Sequence, residues 1–193
     1  MSVGRRAGAT LMVLAALAAG RAVSTAFPLD DRLDAPFVQS GAVGEVVELR
    51  YASVTAGDPE GSRRIDILDA LLESPGIWLV VPLTVVAKGE PRLLGYAAVR
   101  GSDGRTYRAD GMRSQFVRST AQPGIPHYGS VVVELPPSAA AGAQLLVSLD
   151  GGDQRGDGMA EIDLGITAAD VEQWAATLAP VDVPWASDLA EQP

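Results

Sequence analysis

The stretch "GIWLVVPLTVVA", residues 76–87, decides the fold class of this chain. It follows the turn-forming pair Ser74 and Pro75, is rich in β-branched side chains and is too short to span a membrane. These properties predict a central core strand with Trp78 buried in it. Pro82 conflicts with that assignment, because proline has no N–H to donate to a neighbouring strand. We therefore expect a bulge or a strand edge at this point.

Alternating stretches on both sides of this run predict further strands. In "EVVELRYASV" (45–54) Val47, Leu49 and Tyr51 share one face, and "TAGDPEGSRR" (55–64) is predicted to be the loop that follows. Ser102-Asp103-Gly104 is a hairpin signal. The other predicted strands are "IDILDAL" (65–71), "SVVVELP" (130–136), "AQLLVSL" (143–149) and "AEIDLGI" (160–166). Seven or eight short strands separated by turns predict an all-β, immunoglobulin-like antiparallel β-sandwich.

Composition limits the function classes. The chain has 193 residues, of which 47% are hydrophobic, so one domain with a substantial core is expected. It has no cysteine, which excludes thiol catalysis, disulfides and cysteine-type zinc sites. The formal net charge of −9 gives no electrostatic basis for binding nucleic acid. We expect no cofactor.

The N-terminal segment has the layout of a secretory signal. Arg5 and Arg6 precede an apolar run over 7–20, and Ser24 and Ala26 fit the small-residue positions of a cleavage site. An uncleaved membrane anchor is the alternative. In both cases the rest of the chain is expected outside the cytoplasmic membrane, and the membrane is contacted only through this segment.

The expected organisation has four parts. A signal peptide or anchor occupies 1–26, a polar stalk 27–43, the sandwich 44–166, and a helix with a mobile tail 167–193.

One helix is predicted near the C-terminus. In "TAADVEQWAATLA" Thr167 is the expected N-cap and Asp170 lies three positions later, a shortened capping box. Val171, Trp174 and Leu178 share one helical face. We expect this face to pack on the sandwich, while a partner-binding role for the three residues stays open.

Three stretches resemble the immunoglobulin-like extracellular domains of unknown function in Gram-positive bacteria, a group related to the immunoprotective extracellular antigen family. The first is the apolar strand that ends at Lys88-Gly89-Glu90. The second is the hairpin with Asp103, Gly104 and Tyr107, and the third runs from Pro123-Gly124 to Pro136. The resemblance covers residues 43–149 and departs from the family at Pro82 and after Asp150. It implies a β-sandwich on the envelope side of the membrane and supplies no catalytic residues.

The single histidine, His127, lies between a Pro-Gly turn and the strand "SVVVEL". A catalytic triad needs a nucleophile and an acid around the histidine, and the chain has no Gly-x-Ser-x-Gly motif. We therefore interpret His127 as an exposed or capping turn residue.

The segment "DGGDQRGDGMAE" (150–161) is the one candidate metal site. Asp150, Asp153, Asp157 and Glu161 could ligate calcium. Asp150 and Glu161 fit the first and last places of a twelve-residue calcium loop, but Gly152 and Gln154 occupy ligand positions and Arg155 replaces the glycine of the sharp turn. A flexible acidic loop is the other interpretation.

These observations predict an exported cell-envelope binding or accessory module without catalytic activity, whose partner is an unidentified envelope protein. Two alternatives stay open. One is an extracytoplasmic enzyme that acts through Asp and Glu carboxylates in a cleft, and the other is a structural spacer.

Overall fold

The structure is a computed structural model that describes residues 12, 16, 17, 20, 21, 36–109, 113, 114, 119–148 and 158–188. The chain divides into two units, Met1–Ala35 and Pro36–Pro193. In the first unit the five described residues are helical. Within the described part of the chain, no helix combines the length and apolar character needed to cross a membrane.

The second unit is built mainly from strands. Its described elements are β1 (Phe37–Ala42), β2 (Val47–Glu48), β3 (Ala52–Ala56), β4 (Glu60–Ile67), β5 (Ala70–Ala87), β6 (Arg92–Leu93), β7 (Tyr96–Arg100), β8 (Thr106–Arg108), β9 (Thr120–Ala121), β10 (His127–Leu135), α1 (Pro137–Ala140), β11 (Gln144–Ser148), β12 (Gly158–Asp163), α2 (Ala168–Ala176) and β13 (Val181–Asp182).

Two sheets face each other. The first has the order β1-β12-β11-β7-β8, and the second has the order β13-β4-β5-β3-β2 with β10 on the other side of β5. A short third sheet pairs β6 with β9. One apolar core, drawn from both main sheets, fills the space between them. The predicted all-β sandwich with a short C-terminal helix is confirmed, while the immunoglobulin-like label stays a prediction.

The central strand β5 is buried on both faces over its middle. Leu79 and Val81 belong to the core between the sheets, whereas Trp78 and Val80 belong to a second cluster on the outer face. Trp78 is buried, as predicted, with 4% of its surface exposed. Two-sided burial explains why this stretch is apolar at nearly every position.

Strands β3 and β4 pair with successive parts of the same edge of β5, and Pro82 lies opposite the gap between them. In an antiparallel strand the N and O of a residue face the same neighbour, and the carbonyl of Pro82 accepts a hydrogen bond from the N–H of Gly57 at 2.8 Å. Gly57 falls between the end of β3 and the start of β4. The missing donor therefore costs no ladder bond, which resolves the conflict seen in the sequence.

Three segments at the start of the second sheet differ from the prediction. The predicted strand 65–71 is split, because the chain reverses at Leu68 and Asp69 and pairs the end of β4 with the start of β5. The stretch 45–54 is not one strand, because the chain reverses at Arg50 and Tyr51 and pairs β2 with β3. Tyr51 and Ala52 are both buried, so the alternation of burial shifts by one residue at the reversal. The predicted loop 55–64 is also partly wrong, since β4 begins at Glu60.

The ends of the sandwich also differ from the prediction. Residues 37–42, expected in the stalk, form β1 and pair in parallel with β12. Residues 181–182, expected in a mobile tail, form β13 and pair in parallel with β4. Among the strands named above, every other pair is antiparallel.

Helix α2 starts as predicted. The Thr167 side chain accepts a hydrogen bond from the N–H of Asp170, and the Asp170 carboxylate accepts one from the N–H of Thr167. The Thr167 hydroxyl also donates to the Asp170 carboxylate, and this bond, followed by the one from the Thr167 N–H, lowers the pKa of Asp170 below its ordinary value. The capping box is confirmed.

Candidate functional site

The segment after α2 crosses the outer face of the second sheet. The buried hydroxyl of Ser62 donates to the carbonyls of Thr177 and Ala179 and fixes the exit from the helix. Residues 181–188, here named the strap, then pair with β4 at one end. At the other end Ser187 exchanges two backbone hydrogen bonds with Tyr128 of β10. The strap therefore connects the two strands that flank β5.

Only part of the outer face is sealed by the strap. Val183 is buried and packs with Ile65, Trp78 and Val132 in the outer cluster. Further along, Pro184 and Trp185 are exposed, and 64% of the surface of Trp185 is open to solvent. An exposed tryptophan beside an apolar surface is a common feature of binding sites.

A groove of about 330 Å³ lies between the strap and the sheet. Its floor comes from one face of β5 and β10, where strand alternation places every second side chain, and its wall is the strap. The floor residues are Val80, Pro82, Thr84, Tyr128 and Ser130, and the wall includes Asp182, Trp185 and Ser187. Because Pro82 and Trp185 are exposed, the groove is open to solvent.

The polar side chains that line the groove belong to Glu60, Thr84, Tyr128, Ser130, Asp182 and Ser187. Ser130 is 4% exposed, and its hydroxyl has no hydrogen-bond partner within the described residues. Thr84 is half-buried, and its hydroxyl is likewise unpartnered there. Neither oxygen is a fully buried unpartnered atom, so both are open to the groove and can bond to a ligand that supplies a donor.

The structure overturns the interpretation of His127 as an exposed turn residue. His127 is the first residue of β10 and is 6% exposed. Its Nδ1 lies 2.7 Å from Asp188 Oδ1 of the strap, and its Nε2 lies 2.6 Å from Ser119 Oγ. The chain thus assembles a hydrogen-bonded series of serine, histidine and aspartate.

Sequence reasoning missed this series because its members are far apart. Asp188 comes 61 residues after His127 and lies in a segment predicted to be mobile. Ser119 is in no known nucleophile motif. The series also lies apart from the groove, since successive strand residues point to opposite faces and Tyr128, not His127, lines the groove.

The predicted calcium residues are not brought together in the described part of the chain. Asp150, Asp153 and Asp157 fall outside the described residues. Glu161 lies on β12, where its carboxylate accepts a hydrogen bond from Arg100 at 2.8 Å. Within the described residues, no group of three potential metal ligands occurs.

The three helix residues divide by burial. Val171 is buried, and Trp174 packs against the core with its ring over Gly61 of β4. Leu178 follows the helix and is 50% exposed. The predicted docking face is therefore occupied by the sandwich at two of the three positions.

The carboxylates that could serve the enzyme alternative are Asp103, Asp110 and Glu134, and the two that the structure describes have local roles. Asp103 accepts hydrogen bonds in the β7–β8 turn from the N–H of Arg105 and the hydroxyl of Tyr107. These bonds lower the pKa of Asp103, with the backbone bond from Arg105 the largest cause. Glu134 accepts a hydrogen bond from Ser74 at 2.7 Å, and Asp110 falls outside the described residues.

Comparison with known proteins gives fold likeness only. No family model matches the chain, and no curated protein matches it. Its fold is similar to that of an uncharacterized β-sandwich protein from Clostridium difficile 630, with 11% identity, a TM-score of 0.43, and coverage of 66% of this chain and 95% of the other. It is also similar to the yjhA protein from Bacillus subtilis, with 14% identity, a TM-score of 0.45, and coverage of 64% and 99%.

A third similar structure is a secreted protein from Mycobacterium tuberculosis, MPT63, with 13% identity, a TM-score of 0.47, and coverage of 66% and 99%. Because no family model matches the chain, the resemblance to the immunoprotective extracellular antigen family has no support from a family model.

Proposed function

We propose that this chain is an exported, non-catalytic binding module of the cell envelope and that its binding site is the groove under the strap. The observation that carries the proposal is the open apolar groove with the exposed ring of Trp185 at its edge. Pre-formed concave sites with apolar walls and a few polar groups are typical of binding sites. The core between the sheets is filled by side chains, so the outer face offers this surface instead.

Export is supported by the N-terminal sequence. A positive start followed by an apolar run and small residues is the pattern of a secretory signal or anchor. An envelope protein is the proposed partner, because the groove is open along the strap and exposes an aromatic side chain that a partner surface would bury.

Photo-crosslinking in intact cells tests the binding proposal. A benzoyl-phenylalanine replaces Trp185 in one variant and Leu71 in the control, since these residues are 64% and 58% exposed. Leu71 lies on β5 outside the groove residues. We expect a discrete adduct from position 185 and none from position 71. Equal adduct patterns, or no adduct from position 185, would contradict the proposal.

A serine hydrolase is the second candidate, and the Ser119–His127–Asp188 series favours it. In such a reaction Ser119 Oγ would bond to the acyl carbon of an ester while His127 takes the hydroxyl proton. His127 would pass that proton to the departing alcohol oxygen, and Asp188 would stay ionised and orient the imidazole. Water would then release the acid by the same steps. In a binding module these contacts instead hold the end of the strap on β10.

Labelling with a fluorophosphonate separates the two candidates. A hydrolase predicts covalent labelling that is lost in Ser119→Ala and slowed in Asp188→Asn, because both variants remove part of the activating series. Ser130→Ala is the control, since Ser130 lines the groove. The binding module predicts no labelling of the wild-type chain, and labelling that depends on Ser119 would replace it with the hydrolase.

A further inference from the structure

The described lining of the groove carries two carboxylates and no cationic side chain. Glu60 and Asp182 line the groove, and no Lys, Arg or His is among its described lining residues. A second depression on the other side of the strap shares Asp182 and Trp185 and adds Asp66 and Asp69. Within the described residues, none of these four carboxylates forms an ion pair.

The apolar and aromatic parts of the groove fit an amphipathic cation. The rings of Tyr128 and Trp185 attract a cation over their faces. Val80 and Pro82 provide the floor along which the methylene stem of a lysine or arginine would lie. An ammonium or guanidinium group is a donor without acceptor capacity, and the unpartnered hydroxyls of Ser130 and Thr84 are available acceptors.

Ser130 is the observation that points to a ligand independently of the charges. This residue is more than nine-tenths buried and lies on the groove floor. Its hydroxyl has no partner within the described residues and is open only to the groove. An arriving donor would satisfy this oxygen, whereas an anion would face Glu60 and Asp182 without a compensating positive charge.

We propose that the groove binds a lysine or arginine side chain, flanked by apolar residues, from an extended segment of the envelope partner. The inference rests on the proposed binding function and names the chemistry of the partner. A segment of a partner protein fits better than a free amine, because the groove is open and would leave much of a small molecule in water. Small-molecule sites usually bury 70–90% of the ligand.

The experiment compares two short peptides on the full chain. One is acetyl-Gly-Leu-Lys-Leu-Gly-amide, and the other has norleucine in place of lysine, which keeps the stem and removes the charge. The indole N–H signal of Trp185, assigned with a Trp185→Phe variant, reports binding by NMR. We expect the lysine peptide to bind about tenfold more tightly and to lose that advantage at about 0.5 M salt.

Charge variants test the same point on the protein. Glu60→Gln and Asp182→Asn should each reduce the preference for lysine, and together they should abolish it. Glu172→Gln is the matched control, because Glu172 is exposed on α2 and lies outside the groove. This control should keep the full preference.

The outcomes separate this inference from the proposed function. Equal affinity for the two peptides, or no shift up to about 10 mM peptide, would overturn the cation inference. If position 185 still gave a discrete photo-adduct in cells, the binding module would stand with a different partner chemistry. Failure of both experiments would overturn both proposals.

Discussion

The two faces of β5 are covered in different ways. The inner face meets a complete second sheet, and Leu79 and Val81 are fully buried against it. The outer face meets the strap, which buries Val183, and the side chain of Arg113 over Trp78, and the groove stays open. The comparison shows how one strand can supply both the main core and the floor of an open groove. Full cover favours stability, whereas partial cover leaves apolar surface for a partner.

Trp78→Ala gives the largest expected effect and tests whether the outer cluster is a true core. The ring is 4% exposed, and Arg113 lies over it at 5.3 Å from the ring centre. We expect the free energy of unfolding to fall by about 3–5 kcal/mol, measured by urea denaturation. Trp185→Ala is the control and should change it by less than about 0.5 kcal/mol, because that ring is exposed. A small effect at Trp78 would mean that only the inner face stabilises the fold.

Gly61→Ala tests how the inner core is closed at the β4 edge. A methyl group at Gly61 would overlap the ring of Trp174, so α2 would have to shift. We expect a loss of about 1–3 kcal/mol in thermal or urea unfolding. The same change made in a Trp174→Ala background should cost much less, because the overlapping ring is gone. Equal costs in the two backgrounds would contradict the packing of Trp174 on β4.

Local chemistry made several elements predictable from the sequence. The Asp103-Gly104 turn joins β7 and β8 as expected, and Gly104 has the positive φ of 76° that such a turn needs. The cap of α2 follows from Thr167 and Asp170, which are three residues apart. In both cases the deciding contacts lie within a few residues along the chain.

The strap and its contacts were not predictable in this way. The pairing of Ser187 with Tyr128 and the contact of Asp188 with His127 join segments about 60 residues apart. The strap has no periodic apolar pattern that would predict a strand or helix, since Val183 is its one buried residue. Gly61 was assigned to a loop for a similar reason, because its role depends on the distant ring of Trp174.

A matched pair of substitutions sharpens the comparison between the faces. Val80 and Val81 are adjacent in β5, are 3% and 0% exposed, and point to opposite faces. We expect Val81→Ala to cost about 2 kcal/mol and Val80→Ala about 1 kcal/mol, because the strap can move toward the vacated space and the opposite sheet cannot. Urea denaturation of both variants measures the difference. A larger cost at Val80 would show that the strap side is the more rigid one.

The smallest expected effect concerns the cap of α2, the helix that closes the inner face beside β4. Hydrogen bonds from Thr167 hold the pKa of Asp170 below its ordinary value of 3.8, so the folded state favours the ionised carboxylate. The stabilisation is therefore complete above the pKa of the unfolded chain and is lost as the pH falls through the folded pKa. We expect Asp170→Asn to be less stable than wild type at about pH 6, with the difference shrinking toward about pH 3. The measurement is the unfolding midpoint of both proteins across that range, compared with Glu172→Gln, whose exposed carboxylate is not part of the cap. A difference that stayed constant with pH would mean that the ionised carboxylate of Asp170 does not stabilise the helix, and that α2 is held by Val171 and Trp174 alone.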